Sequence, residues 1–231
     1  MGGEAPKRRT RRPKTANGRR RAENRRLRRL LEPEQALWER GLTLIAGVDE
    51  VGRGPLAGPV LAAAVILPPS LAIRGVDDSK KLTAEKRAEL FTEIRAKAVA
   101  IGVAGASTRE VDRINILRAS HLAMKRAIRR LGCVPQHIFI DGLPVLELGY
   151  EHTAVIDGDA KLHCIACASI VAKVVRDRVM TLLAARYPGY AWDSNMGYAT
   201  AEHRDAIITL GLTPHHRRSF ESNHQLTLEL L

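Results

Sequence analysis

Gly47–Val60, GVDEVGRGPLAGPV, is the stretch that decides how the chain is read. Leu42 to Ala46 leads into it and Val60 to Leu67 leaves it; both runs are short, apolar and partly β-branched, as buried strands are. Asp49 and Glu50 fall where the first run gives out. A carboxylate at a buried strand end loses solvation unless a cation or hydrogen bonds compensate, so the pair points to a metal. Gly52-Arg53-Gly54 then sets two residues without Cβ atoms around one fixed positive charge, which suits close approach to a phosphate or sugar. A solvated hairpin turn is the plain alternative, because Gly-x-Gly alone says little. A Walker loop fits poorly for want of a following Gly-Lys-Ser/Thr, and a dinucleotide fingerprint fails because Pro55 and Pro59 fall where its helix would run.

The 231 residues, 45% hydrophobic and 27% charged, describe a soluble globular chain with room for one substantial core. No apolar run approaches the roughly 20 residues of a membrane span, and the N-terminus has no apolar signal segment. A cytoplasmic protein with no membrane partner is therefore expected. Cys133, Cys164 and Cys167 make an odd count, read as reduced thiols rather than a disulfide framework. The net charge of +12 is uneven: residues 1–30 hold 13 Lys or Arg against two acids, which leaves 24 against 23 for residues 31–231. With almost no apolar content before Leu27, residues 1–30 are expected to form a disordered basic arm that attracts nucleic-acid phosphates, or else a solubilising tail. Residues 31–231 are expected to be the folded domain.

Further along, Pro33 to Gly41 reads as a short helix. Val76-Asp-Asp-Ser-Lys-Lys-Leu82 reads as a loop before a helix over 84–98 opened by Thr83. Ser79, Lys80 and Lys81 then lie near a helix N-terminus, where a phosphate can be held, although an exposed polar turn fits that segment equally well. Val99 to Ala106 reads as a strand. Ile114, Leu117, His121, Met124, Ile128 and Leu131 recur at helical spacing and read as one core-facing stripe, with His121 structural.

His137-Ile-Phe-Ile-Asp141 is a compact strand ending in an acid. Thr153-Ala-Val-Ile-Asp157-Gly-Asp159 repeats the pattern before a helix from about Leu162 to Arg186, whose small face is Ala166, Ala168, Ser169 and Ala172. Cys164 and Cys167 in its apolar part read as core packing rather than zinc ligands. Arg176 and Asp177 read as a structural or solvated charge cluster. His215 and His216, beside Arg217 and Arg218, read as part of a basic surface or as a loop cap.

Asp49, Glu50, Asp141 and Asp159 are thus acids at the ends of three apolar strands, which one sheet edge can bring together. Bare carboxylates cannot crowd, but two divalent ions roughly 3.5–4 Å apart would neutralise them, activate a water and stabilise the leaving oxygen of a phosphodiester. Oxygen-only ligation favours magnesium or manganese over zinc. With a basic arm and a glycine turn, the residues read as a metal-dependent nuclease.

The pieces GVDEVGRGPLAGPV, DSKKL, NILRASHLAMKRAI, Ile140-Asp141-Gly142, GDAKLHCIACASIVAKVVRDRVM, YPGY, MGY and HHRRSF run in this order from about Ile45 to Phe220. Together they resemble the ribonuclease HII family. The resemblance implies a ribonuclease H-like α/β fold: a mixed β-sheet flanked by helices, with a helical C-terminal region. It implies endonucleolytic cleavage of RNA paired with DNA and incision 5′ of single ribonucleotides in duplex DNA, leaving 3′-hydroxyl and 5′-phosphate ends. By motif, Asp49, Glu50, Asp141 and Asp159 correspond to the acids that bind Mg2+ or Mn2+. Gly52, Arg53 and Gly54 correspond to the segment that recognises the ribose 2′-hydroxyl, and Tyr198 to a tyrosine that packs on the neighbouring sugar. Ser79, Lys80 and Lys81 complete the expected substrate contacts.

The chain departs from the family pattern at Asp157, where a lysine is usual, and at Cys167. The expected partners are an RNA–DNA hybrid and ribonucleotide-containing duplex DNA, bound by a monomer; no protein partner is implied. A resolvase- or integrase-like nuclease would share the acids but not Gly52-Arg53-Gly54. A catalytically idle nucleic-acid-binding protein would have no need of the acids.

Overall fold

The computed structural model describes residues 15–220. Five strands, β1 (Ile45–Val51), β2 (Val60–Ile66), β3 (Ala100–Ala106), β4 (His137–Asp141) and β5 (Thr153–Val155), form one sheet in the order β3-β2-β1-β4-β5. The helices are α1 (Ala16–Trp38), α2 (Ala84–Lys97), α3 (Thr108–Arg129), α4 (Gly158–Lys161), α5 (His163–Arg186), α6 (Trp192–Asn195) and α7 (Ala201–Leu210). β1 to β3 are antiparallel neighbours, whereas β4 joins β1 and β5 joins β4 in parallel. The sheet is therefore mixed, as expected. Among the described residues no helix is long and apolar enough to cross a membrane.

Strand alternation assigns one face of the sheet to each helical layer. Ala46, Val48, Ala62, Ala64, Ile138 and Ile140 meet Ala123, Met124, Ala127 and Ile128 of α3. Ala63 and Val65 meet α2 and the Ala166–Ala172 part of α5 on the opposite face. A Cβ at Gly47 would sit inside the backbone of Cys164, so α5 lies directly on β1. Cys164 and Cys167 are buried in this packing, as expected.

The α3 stripe holds only in part. Met124, Ile128 and Leu131 are buried, but Leu117 is half exposed and His121 turns to Glu147, Nδ1 to Oε2 3.3 Å. Asn115, which leaves helical conformation at φ 65°, ψ 165° and accepts the Arg118 N–H on Oδ1, separates Ile114 from the rest. In the helical run after it the buried face is Ala119, Ser120, Ala123, Met124, Ala127 and Ile128, which leaves Leu117 and His121 at its margin.

The N-terminal region differs more. Residues 15–30, expected to be disordered, are helical and continuous with the short helix expected after Pro33. Thr15 caps α1 by accepting the Gly18 N–H at 3.1 Å. Leu27, Leu30, Leu31, Glu34 and Leu37 form its buried stripe. That stripe straddles residue 30, where the charge arithmetic had divided the chain, and helix-favouring arginines fill the turns between the leucines. Residues 1–14, the rest of the expected arm, lie outside the described residues, as do 221–231.

Candidate active site

β1 and β4 run side by side with Val48 paired to Ile140. The next residue on each strand is an acid, and Asp49 and Asp141 share the face on which α5 packs, because Ala46, Val48, Ile138 and Ile140 take the other. Glu50 follows on β1. Asp159 does not end a strand: β5 stops at Val155, Asp157 turns the chain at φ 54°, ψ 41°, and Asp159 lies in the first turn of α4. The Gly158 N–H donates to Asp141 Oδ1 at 2.6 Å and ties that turn to β4. Asp157 points away, exposed and 3.9 Å from Lys161, so the additional acid stays apart from the other four.

Burial pushes the Asp49 carboxyl well above the usual carboxylate range, and the charges of Glu50 and Asp141 add to the shift; a hydrogen bond from Ser169 opposes it. Burial also raises Glu50, against the pull of Arg53, whose Nη1 is 3.2 Å from Oε1. Glu50 Oε2 is buried without a partner. Asp159 is pushed up to about 6 by burial, then by Asp78 and Asp141, with Lys80 opposing. Like charges thus destabilise one another across β1, β4 and α4.

An all-oxygen donor set, an orphaned buried carboxylate oxygen and mutual repulsion fit a hard divalent cation. Among the described residues no three acids, histidines or cysteines close into a ready-made cage. The fit lies in donor chemistry and charge, and an open arrangement suits an ion such as Mg2+, which keeps several waters and uses one or two carboxylates.

Beside the acids, the turn Gly52–Pro59 is held by two fully buried guanidinium groups. Arg217 donates to the carbonyls of Gly52 (2.6 Å), Arg53 (2.9 Å) and Gly58 (3.0 and 2.9 Å). Arg176 donates to Ala57 (3.2 Å), Pro59 (3.1 Å) and Met196 (3.0 Å). Burial lowers both arginines, Arg217 to about 9. Carbonyl dipoles stand in for the missing counter-ions. Gly52 at φ 88° has no room for a Cβ, which would strike the Arg176 Nε. Arg53 is left half exposed, and the Tyr198 ring lies near Gly54, where an added Cβ would be 3.7 Å from Cε1.

The Tyr198 carbonyl accepts from His203 Nδ1–H at 2.8 Å, which fixes the His203 tautomer. His203 Nε2 then accepts from Trp192 Nε1–H (2.9 Å) and from His216 Nε2–H (3.1 Å), while His216 Nδ1 accepts the Thr213 N–H (2.9 Å). Burial lowers both histidines, His216 to about 4, so the chain of donors is neutral. His216 does cap a loop. It belongs to no basic surface, because the apolar ring packing of Tyr190 and Trp192 encloses it and Arg217 is itself buried.

The expected phosphate loop divides its tasks. Ser79 is buried with its Oγ 2.9 Å from Ser169 Oγ, so it links the loop to the hydroxyl that bonds Asp49 rather than facing a ligand. Lys81 pairs with Asp78 at 3.5 Å, and Lys80 is exposed and acts on Asp159. Arg87 donates to the carbonyls of Ser79 (3.0 Å) and Leu82 (2.6 Å) and lies 3.7 Å from Asp177, which also meets Lys173 at 2.6 Å. Asp177 is therefore a structural acid.

Sequence reasoning missed the roles of Arg217, Ser169 and His203, and read Arg176 only as part of a structural or solvated charge cluster, without its grip on the turn.

The family profile described as Ribonuclease HII matches residues 46–223, a span that contains the four acids, the turn, Tyr198 and Arg217 and leaves α1 outside. The Ribonuclease HII of Ruegeria pomeroyi is 54% identical over 194 residues, covering 84% of this chain and 82% of its own. Among solved structures, RNase HII of Archaeoglobus fulgidus, determined as a complex with PCNA, aligns with TM-score 0.65 and 28% identity over 77% of this chain and 94% of that one. Bst-RNase HIII, determined in complex with Mn2+, aligns with TM-score 0.53 and 18% identity over 76% and 73%, a likeness of fold. A profile match over residues 46–223 and identity above one half over 194 residues make the chain a member of the ribonuclease HII family and thereby a nuclease, a hydrolase of phosphodiester bonds.

Proposed function

We propose that this enzyme cuts the RNA strand of RNA–DNA hybrids endonucleolytically and incises duplex DNA 5′ of single ribonucleotides, leaving 3′-hydroxyl and 5′-phosphate ends. The observation that carries the reading is the mutual repulsion of Asp49, Glu50, Asp141 and Asp159 directly beside the Gly52-Arg53-Gly54 turn. In this reading the four acids hold two divalent ions, Mg2+ or Mn2+, which when bound supply an activated water and charge for the leaving oxygen.

The chain's own groups do the rest. Ser169 orients Asp49, and the Gly158 N–H fixes one oxygen of Asp141. Arg53 engages one oxygen of Glu50 and leaves the other for a ligand. Arg217 holds the Gly52 and Arg53 carbonyls, so the turn meets a sugar with little ordering left to do. Tyr198 offers its ring to the adjoining sugar, and Lys80 its charge to a phosphate. A rigid polar reader rejects a sugar lacking the 2′-hydroxyl, because its buried groups are then left unpaired. The same reading places the enzyme in the cytoplasm, acting as a monomer.

The test is incubation of the full chain and Mg2+ or Mn2+ with duplex DNA carrying one ribonucleotide. A single cut on its 5′ side and an intact all-DNA control are expected. Equal cutting of the control, or none with either ion, would sink the proposal.

A further inference from the structure

Helix α1 lies outside the span that the family profile matches, yet it is fixed beside the proposed site. Leu27, Leu30, Leu31 and Leu37 bury one side of it. Toward its start, Glu23 accepts the Gly75 N–H at 3.1 Å, while Arg26 donates to the Val76 carbonyl at 2.5 Å and lies 3.8 Å from Asp77. Those contacts end one residue short of Asp78, which with Lys80 acts on Asp159. The helix and the site loop therefore form one rigid piece.

The opposite side of α1 carries Arg21, Arg25, Arg28 and Arg29, spaced i, i+4, i+7 and i+8, so they form one stripe turned away from the leucines. All four are exposed, and none makes an ion pair among the described residues; Glu32, also exposed, is paired with none of them. Like charges at this spacing repel, so the stripe gains from an anionic partner. Arg21 to Arg29 covers roughly 12 Å of helix, the length over which one DNA strand presents about three or four phosphates.

We propose that this stripe binds the phosphates of the duplex next to the cleavage site, extending the footprint beyond the residues that the family profile matches. The inference rests on the proposed duplex substrate. A basic helix face without apolar or aromatic groups contacts phosphates and reads neither base nor sugar.

The test uses full-length Asp49→Asn protein, which holds substrate without turnover, with the four arginines changed together to glutamine or to lysine. Affinity for a long hybrid and for plain duplex DNA is measured over a salt series. The glutamine variant is expected to bind roughly tenfold or more weaker, with the slope of log affinity against log salt flattened by about 0.9 per lost contact, alike on both duplexes. The lysine variant should keep both affinity and slope. Equal melting midpoints for all the proteins establish that α1 stays docked. An unchanged slope in the glutamine variant, or a lysine variant as weak as the glutamine one, overturns the stripe. A flattened slope, alongside failure of the protein with Asp49 intact to cut at a ribonucleotide, would uphold the stripe and overturn the proposed specificity instead.

Discussion

Asp49 is a carboxylate buried beside Glu50 and Asp141, held in place by the Ser169 hydroxyl and the Glu50 backbone N–H. Asp49→Asn keeps its shape and removes its charge. Turnover should fall by roughly a hundredfold or more, since electrostatic groups at a reacting centre typically carry that much. Without divalent ion the melting midpoint should stay or rise, because repulsion is relieved, and added Mg2+ should raise it less than in the unaltered enzyme. A variant that turns over near the normal rate removes Asp49 from the site. Asp49 and Asp141 were legible in the sequence because strands alternate with a fixed period, so two apolar strands that each end in an acid can present both on one face. Arg176 and Arg217 were not, because their partners are backbone carbonyls, which every residue has.

Among the elements, the junction of α1 with α5 has a titratable hinge. Leu162 leaves α5 without a side-chain cap, and Glu34 of α1 fills the gap by accepting the Cys164 N–H at 2.8 Å. Burial pushes the Glu34 carboxyl up to about 7, against the hydrogen bonds from Cys164. Between about 4.5 and 7 the folded chain keeps a proton that the unfolded chain gives up, so stability falls as pH rises through that window. Glu34→Gln keeps the acceptor and abolishes the titration. Relative to the unaltered protein, the variant should gain nothing near pH 5 and on the order of 2 kcal/mol near pH 8, read by denaturant melts. A difference that does not change with pH would assign the titration elsewhere. This junction escaped the sequence reading because a run of arginines around Leu27 and Leu30 looks the same whether or not its leucines are covered. Asp159 was assigned the right neighbours but the wrong element, because the left-handed turn at Asp157 ends β5 early.

For the molecule as a whole, α1 belongs to the core. Deleting residues 1–30 removes Leu27 and Leu30, and buried leucines carry on the order of 2–5 kcal/mol each, so that truncation should lower the melting midpoint sharply. A midpoint equal to that of the full chain would show that the leucine stripe adds nothing. A separate consequence follows from Arg217, which grips carbonyls 159 to 165 residues earlier in the chain. At roughly 5–20 residues per second of synthesis, the turn waits on the order of ten seconds or more for its latch to leave the ribosome. The nascent chain carries Asp49, Glu50 and the turn early but fastens the turn last, so the power to cut RNA arrives as a late event of translation rather than growing with the chain.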